Sequence, residues 1–238
     1  GRAGLKRFDR IVKINNESTL NMPLDDAVRR LRGEPGTPVT VWVTREGDNG
    51  WQGQKAFPLT REVIKVRSVE FRQLDQGVAY VRLKQFQATS YSELEAALDD
   101  LRSRGPIRGL VLDLRGNPGG LLDQAARIAD KFLTDGVIVS TVGASEGREE
   151  KRAKGPGTEP PYPIVVLVNG HSASASEIVA GALKNHDRAV IVGETSFGKG
   201  SVQLVFPDVT GEKAALKLTI AQYLTPGDVS IQGVGVTP

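Results

Sequence analysis

Residues 8 to 16, FDRIVKINN, alternate into an apolar strand and run into a turn, after which Met22, Ala27, Val28 and Leu31 mark one face of a short helix, flanked by Leu24. Gly33, Pro35 and Gly36 break the chain before VTVWVTR, a strand whose Val39, Val41 and Val43 point one way. Strand, helix and strand are complete by about residue 60, and the Gly- and Pro-punctuated tract WQGQKAFPLTREVIKV sets a boundary near Thr60. From VAYVRLKQF onward strands alternate with helices, the pattern of an α/β domain. Tyr91 to Arg104 is predicted as a helix with Leu94, Leu98 and Leu101 on one face, followed by the continuous apolar strand GLVLDL. A second helix covers Leu121 to Leu133. Within Ala144 to Pro163 the charged run EGREEKRAKGPG reads as a solvated loop or hairpin tip. The buried strand PIVVLVN, a helix from about Ala175 to Lys184, the strand AVIVG, a Gly-rich turn and the strands SVQLVF and AALKLTIAQYL complete the chain, without an internal repeat.

A length of 238 residues allows one large domain or one of ordinary size with a small companion. The formal charge of +3 comes from 31 basic and 28 acidic residues mixed along the chain, so no concentrated polyanion-binding face is expected and nucleic acid is not the expected partner. Without cysteine there are no disulfides and no thiolate metal sites. No stretch approaches the roughly 18 to 20 apolar residues of a membrane helix, and the start, GRAGLKRFDRIVKI, has no signal-peptide core, so neither a membrane span nor a targeting segment is expected in this chain.

Three segments carry candidate chemistry. In NGHSASASEIVAGAL a buried strand gives way to a helix, and Ser174 followed three residues later by Glu177 spells a capping box. Such a serine serves structure alone, or it is a nucleophile placed where unpaired amides and a positive helix end stabilise an oxyanion. In GETSFGKGSVQ, Lys199 stands between two glycines. The spacing from Gly193 to Lys199 nearly reproduces a phosphate-binding loop, but Gly200 occupies the magnesium-binding Ser/Thr position and a strand follows where a helix is required. Lys199 is then either an exposed turn residue or a base desolvated by Phe197 and the flanking strands. In LVLDLRGNPGGLLDQA the glycines do not fit a dinucleotide fingerprint; the loop suits an anion or oxyanion, or is a tight turn with Asn117-Pro118 chosen for backbone geometry. His171 and His186 are the two histidines, and His186 falls at the far end of the predicted helix, about 18 Å along it at 1.5 Å per residue, so a Ser-His-Asp triad is not favoured. Nor is there a metal-ligand motif.

Taken together and in this order, DLRGNPGGL (Asp113 to Leu121), SASASE (Ser172 to Glu177) and FGKGSVQ (Phe197 to Gln203) resemble the carboxy-terminal processing proteases, the Ser-Lys peptidases that include the tail-specific proteases. The resemblance covers nearly the whole chain. It implies Ser174 as nucleophile, Lys199 as general base, Gln203 as the residue that orients the lysine, and the amides of Gly120 and Ala175 as the oxyanion hole. A strand period of two puts Lys199, Ser201 and Gln203 on one face, in keeping with that role for Gln203. No metal or organic cofactor is implied. AGLKRFDRIVKINN resembles part of a PDZ domain, with Phe8 and Asn16 where the family pattern has glycine, and the carboxylate-binding loop expected upstream of Gly1. The expectation is therefore an α/β, crotonase-like protease core over residues 61–238, preceded by a truncated PDZ domain over 1–60 that gates the site. Expected partners are polypeptides with unstructured C-termini, and oligomerisation through flanking helices is left open; the expected location is outside the cytoplasm, in the periplasm or cell envelope. The competing reading is a non-catalytic PDZ scaffold that binds peptides on a protease-like core.

Overall fold

A computed structural model describes residues 3–47, 50–63, 67–143, 147–207 and 215–238. The chain divides into two compact units, residues 1–66 and 67–238, beyond the Thr60 expected from composition. The first unit is a four-stranded antiparallel sheet in the order β2-β1-β3-β4, formed by β1 (Arg10–Ile14), β2 (Glu17–Ser18), β3 (Pro38–Thr44) and β4 (Lys55–Thr60), with helix α1 (Leu24–Leu31) between β2 and β3. Alternation in β3 buries Val39, Val41 and Val43, and Val41 and Val43 form a small core with Phe57. Leu24, expected beside the apolar face of α1, is 78% exposed. It is the first residue of the helix, before the inward stripe begins. β4 escapes the sequence pattern because Pro58 interrupts it; as an edge strand it tolerates a residue without an N–H.

The second unit opens with β5 (Val69–Gln73) antiparallel to β6 (Val78–Leu83), then α2 (Ser90–Ser103), β7 (Gly109–Asp113), α3 (Leu122–Asp130), β8 (Val137–Gly143), β9 (Arg148–Arg152), β10 (Ile164–Val168), α4 (Ala175–Asn185), β11 (Val190–Gly193), β12 (Ser201–Pro207), β13 (Ala215–Thr225) and β14 (Val229–Ser230). One sheet runs β11-β10-β7-β6-β5, with β6, β7, β10 and β11 parallel; a second, antiparallel sheet runs β12-β13-β8-β9, with β14 on β13. The parallel strands are apolar on both faces, as strands covered by helices are. Helix α4 touches α3, β11 of the first sheet and β8 and β13 of the second, and every residue from Ala175 to Leu183 is buried. This is a mixed α/β fold.

The charged run after β8, expected as a solvated loop or hairpin tip, forms the second strand of a β8–β9 hairpin. Arg148–Arg152 is a strand paired with β8, its charges answered laterally by Arg148–Asp228 and Lys151–Asp123 ion pairs, while residues 144–146 lie outside the described residues. Backbone pairing with β8, not apolar alternation of its own, makes this charged run a strand. Among the described residues, no helix is long and apolar enough to cross a membrane.

Candidate active site

β7, β10 and β11 are consecutive neighbours in the parallel sheet, so the loops leaving their carboxyl ends open on one side, where open α/β sheets hold ligands. Those three loops carry the Gly-rich segment, the serine string and the lysine segment.

The serine string is resolved by its hydrogen bonds. Ser172 and Ser176 are buried, and their hydroxyls donate to the carbonyls of Leu114 (2.8 Å) and Asn117 (2.9 Å). Both serve the packing of loop on loop. Ser174 is half-buried, and no acceptor for its hydroxyl occurs among the described residues. Its backbone has φ +55° and ψ −115°, a region in which a non-glycine residue costs about 1–3 kcal/mol unless its surroundings hold it. Glu177 supplies the hold by accepting the Ser174 N–H at 2.7 Å. The predicted capping box is present, although the Glu177 N–H donates at 2.8 Å to the Ser174 carbonyl, which leaves the hydroxyl at most a share of that donor.

Glu177 does more than cap. Its side chain is fully buried; Oε2 also accepts the Lys199 N–H at 2.8 Å, and Oε1 accepts the Gly198 N–H and the Ser196 hydroxyl, each at 2.6 Å. The backbone nitrogens of Ser174 and Lys199 thus share one carboxylate oxygen and lie no further apart than those two bonds laid end to end.

The Gly-rich loop completes the cluster. A Cβ added to Gly119 would stand 2.7 Å from the Ala173 carbonyl, 2.8 Å from Ser174 Cβ and 2.9 Å from the Ala175 nitrogen, so glycine lets this backbone lie against the serine. Gly120, at φ +143°, is pressed closer still, since a Cβ there would stand 2.2 Å from the Phe86 carbonyl oxygen. Neither the Gly120 nor the Ala175 N–H has an acceptor among the described residues, and Ala175 opens helix α4, where first-turn amides are unpaired. Asn117, completely buried, fixes the loop: its Nδ2 donates to the Leu83 carbonyl at 2.8 Å, its Oδ1 accepts the Gly119 N–H at 2.9 Å, and its carbonyl accepts the Ala173 N–H at 3.0 Å. Upstream, Asp113 is clasped by Arg115 through Nε (2.9 Å) and Nη2 (2.7 Å) and by the Tyr80 hydroxyl at 2.6 Å. Burial opposes its ionisation, but these donors outweigh burial and hold its carboxyl below the usual carboxylate range. Burial, with Asp113 as its acceptor, pushes the Tyr80 hydroxyl up.

Ser174, Lys199, Gly120 and Ala175 therefore gather at one cluster, and among the described residues no hydrogen bond joins Gln203 to any of them. Lys199 precedes β12 instead of lying in it, because the amides of Gly198, Lys199 and Gly200 donate to the side chains of Glu177 and Gln232 in place of a ladder. The period-two argument consequently does not reach Lys199. Gln203 is exposed and its Nε2 donates to Thr219 Oγ1 at 3.4 Å. Phe197, expected to desolvate the lysine, is itself 64% exposed. His171 is an exposed loop residue, and the His186 ring is bonded to the Val137 carbonyl at 2.7 Å. No group of three or more metal-ligating side chains is arranged to hold an ion among the described residues. The local motifs mark Asn117 as a turn residue and Glu177 as a cap, and no local pattern marks Ser196, a hydroxyl whose partners are 19 and 40 residues away.

Residues 77–238 match Peptidase family S41. The chain is 46% identical over 241 aligned residues to the carboxy-terminal-processing protease of Bartonella bacilliformis, covering 100% of this chain and 54% of that protein. It is 40% identical to the carboxyl-terminal-processing protease of Synechocystis sp., covering 99% and 55%. Among solved structures it resembles a photosystem II D1 C-terminal processing protease, with TM-score 0.66 and 32% identity over 100% of this chain and 64% of that one. The chain spans about half the length of the curated relatives it matches.

Proposed function

From the premise that this chain belongs to peptidase family S41, we propose that it is the catalytic part of a serine endopeptidase that processes polypeptides near unstructured C-terminal segments. The observation that carries the reading is the convergence of the Ser174 and Lys199 amides on one oxygen of Glu177, beside the unpaired amides of Gly120 and Ala175. In its unprotonated form the Lys199 amine accepts the Ser174 Oγ proton as that oxygen attacks the peptide carbonyl. The Gly120 and Ala175 N–H groups bind the resulting oxyanion; a single donor of this kind is worth about 10²- to 10³-fold in rate. The lysine returns the proton to the leaving amine, and a water, deprotonated by the same amine, then hydrolyses the acyl-enzyme. Gln203 is assigned to orient the lysine, its carboxamide turning from Thr219 when substrate is bound. Residues 1–60 are assigned as a PDZ-like module, and the extracytoplasmic space as the place of action, both supported by the sequence resemblance.

The test is the cleavage rate of an unfolded polypeptide across pH for the parent, Ser174→Ala and Lys199→Ala. Loss in both variants, with a parent rate that rises as one base deprotonates, is expected. Activity surviving in either variant would sink the assignment, and an inert but folded intact protein would favour the peptide-binding scaffold.

A further inference from the structure

The segment Ile231–Thr237 straps the lysine loop, which Glu177 also holds. Ile231 and Val236 are buried. The Gly233 N–H donates to the Gly198 carbonyl at 2.9 Å, the Ser196 N–H to the Val236 carbonyl at 3.1 Å, and the Lys184 ammonium to the Thr237 carbonyl. The contact leaves no room: a Cβ on Gly235 would stand 2.4 Å from the Ser196 carbonyl, and one on Gly198 would be 3.1 Å from Gly233. Between strap and carboxylate lies Ser196, whose residue is 7% exposed. Its hydroxyl accepts the Val236 N–H at 2.7 Å and donates to Glu177 Oε1 at 2.6 Å.

We propose that Ser196 is a positioning residue, its hydroxyl coupling the Ile231–Thr237 strap to the Glu177 carboxylate that holds Ser174 and Lys199 in register. The proposal rests on the reading of Ser174 and Lys199 as nucleophile and base. Glu177 faces four donors, two on each oxygen, and Ser196 is the one of the four whose donor atom itself accepts a hydrogen bond from the strap. Removing that hydroxyl leaves the Val236 N–H buried without its acceptor and takes one donor from Oε1. The carboxylate then turns toward its remaining donors and carries the Ser174 and Lys199 amides with it. Reacting groups displaced by about 1 Å lose on the order of 10²-fold in rate.

The experiment compares the intact parent protein with Ser196→Ala and Ser196→Thr by two readouts. The first is residue-resolved amide hydrogen exchange, which does not depend on turnover. Ser196→Ala is expected to speed exchange at Ser174, Lys199 and Val236 by about tenfold or more while Leu112 in β7 keeps its protection, and Ser196→Thr restores it. The second is steady-state cleavage of an unfolded polypeptide: kcat falls about 10- to 100-fold in Ser196→Ala with KM within about twofold, and the threonine variant recovers most of it. Unchanged exchange at Ser174 and Lys199 overturns the proposal, as does a loss of protection that spreads evenly through β7 and β10, which marks simple destabilisation. Absence of turnover in the parent refutes the peptidase reading instead, and the exchange arm still decides the coupling.

Discussion

At the scale of single residues, Gly119 is a critical substitution site outside the nucleophile and base. An alanine methyl there must occupy space 2.9 Å from the Ala175 nitrogen and 2.8 Å from Ser174 Cβ, at a backbone φ of +98° that suits glycine. Gly119→Ala is expected to fold, with the strain placed on the loop, and to lower kcat by about 10²-fold or more because the methyl stands at the oxyanion amide. A variant with near-parent kcat would show that the amide at Ala175 is not used. Asp113 gives a pH-dependent test. Its folded pKa lies below the unfolded value of about 3.9, so its contribution to stability is complete above that value and is lost as pH falls through the folded pKa. Denaturation midpoints measured from pH 5 to 3 should fall more steeply for the parent than for Asp113→Asn; parallel slopes would contradict the clasp by Arg115 and Tyr80. Both residues sit in segments whose motif was readable from the sequence. What could not be read was the division of labour among the three serines of SASAS. Whether a hydroxyl is spent on a carbonyl, as at Ser172 and Ser176, depends on Leu114 and Asn117, almost sixty residues upstream.

At the scale of elements, legibility followed the match between hydrophobic period and burial. Helix α2 was readable because Leu94, Leu98 and Leu101 are all fully buried, and β3 because its valines alternate into a core. β5, β8 and β9 are not among the elements the sequence pattern predicts. Their order comes from pairing with β6, β13 and one another, and β9 is charged at all five of its positions, so no local apolar signal announces it. The turn before β1 offers a test of local backbone cost. Phe8 is 85% exposed and adopts φ +71°, where a side chain costs about 1 kcal/mol relative to glycine. The ring makes a cation-π contact with Arg7, but an exposed contact of that kind is worth about 0.5–1 kcal/mol at most. Phe8→Gly is therefore expected to leave the first unit's stability unchanged or raised by up to about 1 kcal/mol, against the usual penalty for glycine. Chemical denaturation followed by Trp42 and Trp51 fluorescence measures it, and a loss of more than about 1 kcal/mol would show that the ring packs against something further.

At the scale of the whole molecule, the site is a product of topology. Gly120, Ser174 and Lys199 come together because β7, β10 and β11 are parallel neighbours, and strand order is a property that no segment contains on its own. The sequence could suggest three strand-to-loop junctions; that they share one end of one sheet emerges only when the crossovers are laid out. The same scale separates the two units energetically. The core of the first unit, Val41, Val43 and Phe57, shares no residue with the core of the second, which begins at Val69. Units with disjoint cores unfold as separate cooperative blocks unless a large apolar interface joins them. Val41→Ala removes two methyl groups from a 1%-exposed position and should cost the first unit about 2 kcal/mol, while Leu112→Ala, at 0% exposure, should cost the second about 2–5 kcal/mol. Calorimetry is expected to resolve two transitions, each variant moving one of them. If Val41→Ala shifted both transitions equally, the units would be one cooperative block, and a change at the first core would then reach the Ser174–Lys199 cluster through stability alone.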